Sequence, residues 1–365
     1  MTDSMNRIYE IFGTDPHAMT MALMDAADVA SRIPEGASVA LKPNLVLASH
    51  PDNGAVTHAE VISGCLEYLQ AHGIQNISVM ESAWVGDRTL RALQTAGYEP
   101  VLQRYGVPFY DLKKDEAVEV DTPFGKMEVC RRALETDYLI DLPVLKGHCQ
   151  TVMTCAIKNL KGCIPDREKR RFHSNGLTKP IAALGAVLKP SLVIVDSICG
   201  DLNFEEGGNP VHTNRMFLGD DAVAVDAYGC RLMGLSTEEV AYLPLAEQWG
   251  AGRMDLDSME IVTLNEAELT ETYPKPVGLV KRLTGNVIQD KACSACFASL
   301  VRALYVLDRE GYSIEEAIAI GQGWQNRQCP GIGIGRCTKG AKKSIGGCPP
   351  AAKDIIAFLK QISSE

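Results

Sequence analysis

From residue 38 onward the chain repeats one pattern: a short apolar run with polar residues at its end, then an amphipathic helix. SVALKPNLV (38–46) and NISVMES (76–82) read as buried strands. THAEVISGCLEYLQAHG (57–73) and DRTLRALQTAG (87–97) read as helices, each closed by a glycine. Thr57 is placed to cap the first of them, with Glu60 completing a capping box. AVEVDTPFGKMEV (117–129) alternates around a Pro-Phe-Gly turn and predicts a hairpin. YLIDLPVLKGH (138–148) predicts a strand that feeds a helix over CQTVMTCAIKNLKG. SLVIVDS (191–197) predicts another buried strand, and DDAVAVDAYGCRLMG (220–234) a helix capped by Asp220. Strands apolar on both faces need helices to cover them. The pattern therefore predicts an α/β fold, a mostly parallel sheet with flanking helices.

A chain of 365 residues is long for one core. Cysteine density changes near TYPKPVG (272–278), which divides the chain into an α/β domain over 1–280 and a small C-terminal domain over 285–365. Seven of the twelve cysteines are scattered through the first 290 residues; Cys293, Cys296, Cys329, Cys337 and Cys348 crowd into the tail. A net charge of −10 argues against nucleic acid as a partner, because phosphate binding needs a positive field. The sequence contains no apolar run of 18 residues and opens without an apolar leader, so neither membrane spanning nor export is expected. The expected location is the cytoplasm, where thiols stay reduced and serve metals or redox chemistry more than disulfides.

The tail has the chemistry of a thiolate-held cluster. Cys293 and Cys296 form a Cys-x-x-Cys pair, which supplies two ligands from one turn. Cys337 follows GIGIGR, and Cys348 sits in Gly-Gly-Cys-Pro-Pro; glycines let backbone approach sulfur and leave amides to donate to it. The expected ligands are Cys293, Cys296, Cys337 and Cys348, with Cys329 as the alternative, around one 4Fe–4S cluster. Structural zinc and plain thiol packing are the competing readings. The spacings of eight and eleven after Cys329 are not those of a zinc knuckle, and the tail contains no histidine.

The strands of the first domain end in reactive residues: Lys42 and Asn44, Glu81, Lys146 and His148, and Asp196. Ligands of parallel sheets bind beyond such strand ends. In KGHCQTVMTCAIKNLKG, helical spacing puts Thr151, Thr154, Cys155, Lys158 and Lys161 on the face opposite the apolar one. GCIPDREKRRFH then reads as a basic loop or lid, with five basic and two acidic residues from Lys161 to Arg171. Lys42, Asn44, Lys158, Lys161, Arg170, Arg171 and Asp196 are the candidate ligands for an anionic small molecule, a carboxylate or phosphate. Lys146, His148 and Glu81 are the candidate catalytic groups, with His173 a further acid or base. FEEGGNP (204–210) is a turn able to bring Glu205 and Glu206 to the cleft. Asp226 lies inside an apolar helix without an evident partner. Cys155 and Cys163 read as isolated thiols.

KPN (42–44), LPVLKGH through KNLKG (142–162), VDS (195–197) and DDAVAVDA (220–227) together resemble the domain of unknown function family 362. The resemblance implies a cytoplasmic α/β protein and is in keeping with iron–sulfur cysteines, which many members carry. CxxCxxCxxxCP is missing here, so one cluster is expected and not two. GGCPP is similar to the cluster-binding element of small quinone-oxidoreductase and hydrogenase subunits. The expected function is an iron–sulfur oxidoreductase passing electrons between the cluster and the bound anion, with a redox partner protein. The alternatives are an electron carrier or binding protein without its own substrate, and a non-redox enzyme whose cluster is structural.

Overall fold

The computed structural model describes residues 6–266 and 278–363. They fall into two compact units, one within Met1–Lys169 and Thr178–Lys275, the other within Arg170–Leu177 and Pro276–Glu365. The second unit thus borrows a short segment from the middle of the chain, which the sequence reading assigns to the first. Of the boundary stretch TYPKPVG, only Gly278 lies within the described residues.

The strands of the first unit are β1 (Arg7–Phe12), β2 (Val39–Pro43), β3 (Ile77–Glu81), β4 (Phe109–Asp111), β5 (Ala117–Thr122), β6 (Gly125–Cys130), β7 (Tyr138–Leu142), β8 (Lys146–His148), β9 (Val152–Thr154), β10 (Leu192–Asp201), β11 (Pro210–Gly219) and β12 (Glu260–Thr263). Eight of them form one sheet in the order β12-β1-β11-β10-β7-β2-β3-β4. All its pairings are parallel except those of β11, which runs antiparallel to both β1 and β10. The mostly parallel sheet is as expected; β1, β4, β11 and β12 are additions to the strands read from sequence. β5 and β6 form the expected hairpin.

Alternate strand residues Val39 and Leu41, Ile77 and Val79, Ile140 and Leu142, and Leu192 and Ile194 join one core with helices Pro16–Ala26 and Ala59–Ala71. The intervening residues are buried too, which is why these strands read as unbroken apolar runs. On β2 and β7 the run is interrupted at one paired position, Lys42 opposite Asp141.

Three local expectations give way to other geometry. Thr57 caps no helix: its hydroxyl donates to the Leu142 carbonyl and accepts from the Asn44 amide, and helix Ala59–Ala71 begins after His58 without a side-chain cap. The cap of helix Ala222–Leu232 is Asp221, not Asp220, which pairs with Arg32 at 2.6 Å. The helix expected from Cys149 is replaced by the antiparallel pair β8–β9, and helical structure is confined to Ala156–Asn159 and a tight turn over Leu160–Cys163. The turn between β8 and β9 is held by side chains of β8 itself, an interaction that periodicity does not register. The basic stretch is likewise no loop: Asp166–Ser174 is a helix.

In the second unit β13 (Val287–Gln289), β14 (Ile318–Ile320), β15 (Ile332–Ile334) and β16 (Lys343–Ile345) form a parallel sheet in chain order. Helices Ser294–Arg309 and Ala352–Ser363 pack against each other.

Lys42 is fully buried, and its ammonium donates to Glu81 at 2.6 Å and to the Pro43 carbonyl at 3.0 Å. Removing one partner of such a pair strands the other charge. We expect Lys42→Met to cost about 3–5 kcal/mol in urea unfolding and Lys42→Met with Glu81→Leu to recover most of it. Equal losses in the single and double variants would show that the pair has no such role.

Candidate functional site

Beyond β2, β3 and β7 the buried charges form a network. Burial works against the Lys42 ammonium, but Glu81 and then Asp141 outweigh it and raise its pKa. Burial pushes Asp141 up to about 8, against the pull of Lys42 and of the Asn159 amide, which donates at 2.8 Å. Ser82 donates to the Gly162 carbonyl at 2.6 Å, and a Cβ at Gly162 would collide with the Glu81 carboxylate. Asn159 and Gly162 of KNLKG therefore serve this network, which places Lys42 and Glu81 in the scaffold of the site. Glu81 is held by Lys42 and by the Ser82 amide at 2.6 Å, which leaves it poorly placed for the catalytic role expected of it.

Lys146, Lys158, His148, Cys149 and Glu205 come together on the same unit. The Lys146 ammonium donates to the carbonyls of Ala55 and Glu205 and lies 3.5 Å from Asn44 Oδ1. Burial first, then repulsion from Lys158, lower its pKa to about 7. Burial lowers Lys158 to about 8, opposed by Glu205 and Cys149. Burial thus makes both lysines give up their protons more readily than a lysine in water. Lys161 is half-buried in the turn that follows Asn159.

His148, Cys149 and Glu205 bring a ligand atom each to within 4.8 Å of one another, a donor set able to gather around a cation. Glu205 Oε1 lies 3.3 Å from both His148 Nε2 and Cys149 Sγ, and Oε2 accepts the Cys149 amide at 3.2 Å. His148 Nδ1 accepts the amides of Gln150 at 3.0 Å and Thr151 at 3.2 Å. An acceptor at Nδ1 places the proton of the neutral ring on Nε2, facing Glu205. A metal at Nε2 would have to displace that proton.

Cys149 escapes sequence reasoning, although its position directly after His148 is a signal. The Glu205 turn is positioned by Asp201, whose carboxylate accepts the amides of Asn203, Phe204 and Asn209. His58 is also missed. It pairs with Asp196 through Nδ1 at 2.7 Å; burial opposes its charge, but Asp196 raises it to about 11. Asp196 is thereby engaged within the protein and is not left for a substrate. Asp226 has its partners: it accepts the amides of Ala156 at 2.6 Å and Ile157 at 3.3 Å. Cys155 and Cys163 are buried free thiols.

The basic helix divides between the units. Arg167 pairs with Glu128, and Lys169 is buried, donating to Ser82 and to the Ala83 carbonyl at 2.8 Å. Arg170, Arg171 and His173 belong to the second unit. His173 Nε2 lies 3.4 Å from the Ser294 amide, at the start of helix Ser294–Arg309, so it sits at a helix end and not at an open acid–base position.

Cys293 precedes that helix and Cys296 is in its first turn. Burial, then the thiols of Cys293, Cys337 and Cys348, push the Cys296 thiol up to about 12. Four thiols close enough to resist joint ionisation suit a cation that relieves the repulsion. Gln322 Nε2 donates to Cys293 Sγ and Gln325 Nε2 to Cys337 Sγ, each at 3.3 Å, bonds that favour thiolate. Gly335 is held at φ +89°, and a Cβ there would stand 3.0 Å from Cys296 Sγ. Cys329 stands apart from this set: its thiol is raised by burial, against the Gly340 amide and Arg327, without influence from another cysteine. The donor set fits an iron–sulfur cluster held by the four.

A family model described as domain of unknown function (DUF362) matches residues 39–231. Thylakoid-associated protein sll1697 of Synechocystis sp. (strain ATCC 27184 / PCC 6803 / Kazusa) is 27% identical over 199 residues, which make up 53% of this chain and 60% of that protein. The chain thus spans three fifths of the length of this curated relative. Among solved structures, the lactate racemase apoprotein from Thermoanaerobacterium thermosaccharolyticum is similar at 14% identity and a TM-score of 0.41, over 66% of this chain and 56% of that one. Among the described residues no helix is long and apolar enough to cross a membrane.

The His148 geometry has a spectroscopic consequence. Long-range ¹H–¹⁵N correlation spectra at pH 8 should show the Nε2–H tautomer for His148, and Glu205→Gln should shift its ring proton. An Nδ1–H pattern would reverse the assignment and open Nε2 to a metal.

Proposed function

Because the chain belongs to the domain of unknown function family 362, whose name states no reaction, we propose its function from its own residues: an iron–sulfur oxidoreductase acting on an anionic small molecule. The observation that carries the reading is that Cys293, Cys337 and Cys348 line one cavity and all three act on the Cys296 thiol. These four hold one 4Fe–4S cluster, which supplies one-electron chemistry when bound. Gln322 and Gln325 donate to the sulfurs of Cys293 and Cys337 and stabilise their thiolate forms. Cys329 is not a ligand in this reading.

The anion, a carboxylate or phosphate, is bound in the first unit by Lys146 and Lys158, with Asn44 and Lys161 beside them. Protonated Lys146 and Lys158 supply the charge, and His148 Nε2 with Glu205 moves a proton to or from the substrate. Twelve free thiols fit a reducing compartment, and we place the protein in the cytoplasm.

Anaerobic purification followed by iron and acid-labile sulfide counts tests the cluster. About four of each per chain are expected, with an EPR signal on dithionite reduction. Cys296→Ala should lose both iron and sulfide, whereas Cys329→Ser should keep them. Zinc without sulfide would refute the cluster and leave a structural metal.

The anion site is tested separately by calorimetry with phosphate in buffers of different ionisation heat. Anion binding favours the charged lysines, so it should raise their pKa and draw protons from buffer at pH 8. Affinity should fall as the pH rises from about 7 to about 9, by up to about tenfold per pH unit for each proton taken up. Binding without proton uptake would remove Lys146 and Lys158 from the site.

A further inference from the structure

The second unit concentrates positive charge around its thiols. Residues 321–350 hold five basic side chains, Arg327, Arg336, Lys339, Lys342 and Lys343, and no acidic one, in a chain of net charge −10. Three of these, with Arg170, line an open cavity of about 750 Å³ whose wall includes Cys293, Cys337 and Cys348. The four cations and Cys348 are exposed. The facing acidic group is Asp290, 3.4 Å from Arg327 Nη1, and the remaining lining is mainly carboxamide, from Gln322, Gln325, Asn326 and Gln328.

A cluster held by thiolates is itself anionic and accounts for part of this charge. It does not account for Lys342, which is exposed on the same basic stretch without lining the cavity. Exposed cations bind a small ion weakly, because water screens each of them. Spread over one face they act together, steering an acidic macromolecular surface into register. We propose that this face docks a small acidic electron-carrier protein, with the carrier's redox centre brought to the side of the cavity where Cys337 and Cys348 lie. The proposal rests on the iron–sulfur reading and adds to it the class of redox partner and the surface that receives it. Docking makes and breaks no bond: one electron leaves the reduced carrier and enters the protein.

The test uses full-length protein loaded with iron and sulfide, both counted on every sample. The probe is an acidic plant-type ferredoxin, with basic cytochrome c, inorganic pyrophosphate and a single-stranded oligonucleotide as comparisons. Ferredoxin should associate at about 10 mM ionic strength and more slowly at about 150 mM. Lys339→Glu with Lys342→Glu should slow association roughly tenfold or more and leave iron and sulfide counts unchanged. Lys339→Gln, which removes the charge without reversing it, should give a smaller effect in the same direction. Samples lacking iron and sulfide refute the cluster reading itself. Iron-loaded protein that fails to bind ferredoxin, or binds it regardless of salt and charge reversal, overturns the docking surface. So does tighter binding of cytochrome c, pyrophosphate or the oligonucleotide through the same lysines.

Discussion

A lysine ammonium shut away from water has to find acceptors, and Lys42 finds the Glu81 carboxylate at 2.6 Å. Much of the first unit is arranged around that pair. It lies at the ends of neighbouring strands, β2 and β3, with Asp141 opposite Lys42 on β7. Asn159 closes over Asp141, and Gly162 leaves room for Glu81. Its charge also reaches outward, since Glu81 is among the groups that raise the pKa of Lys146. The pair therefore does two things: it closes the interior, and through Glu81 it contributes to the potential at the buried Lys146.

This explains how much of the site was legible in the sequence. The sheet could be read because β2, β7 and β10 are buried on both faces and appear as mainly apolar runs. KPN and KNLKG could be marked as special because charged or amide residues interrupt otherwise apolar segments. Their role was not legible. A cation at a strand end looks the same whether it is held by backbone carbonyls, as Lys146 is, or by a buried carboxylate, as Lys42 is. The segment 149–155 misled for a related reason. Its apolar spacing matches a helix, but His148 Nδ1 binds the amides of Gln150 and Thr151 and turns the chain back. Side chain to backbone bonds of this kind leave no periodic trace.

The cysteines behave in the opposite way. The sequence favours Cys293, Cys296, Cys337 and Cys348 as a set, and Cys293, Cys337 and Cys348 are the thiols that raise Cys296. Here the glycines carry much of the information, because a sulfur as closely approached as Cys296 excludes a side chain at Gly335. The small parallel sheet beneath them was not visible, since strands of three residues are too short to establish a period.

The segment Arg170–Leu177 has a consequence for the order in which the protein assembles. It is synthesised roughly a hundred residues before the rest of the unit to which it belongs. The ribosome releases it while the first unit is still incomplete, and it must wait, tethered, until the C-terminal helices emerge. The cysteine unit therefore cannot close before its helices Ser294–Arg309 and Ala352–Ser363 have been made.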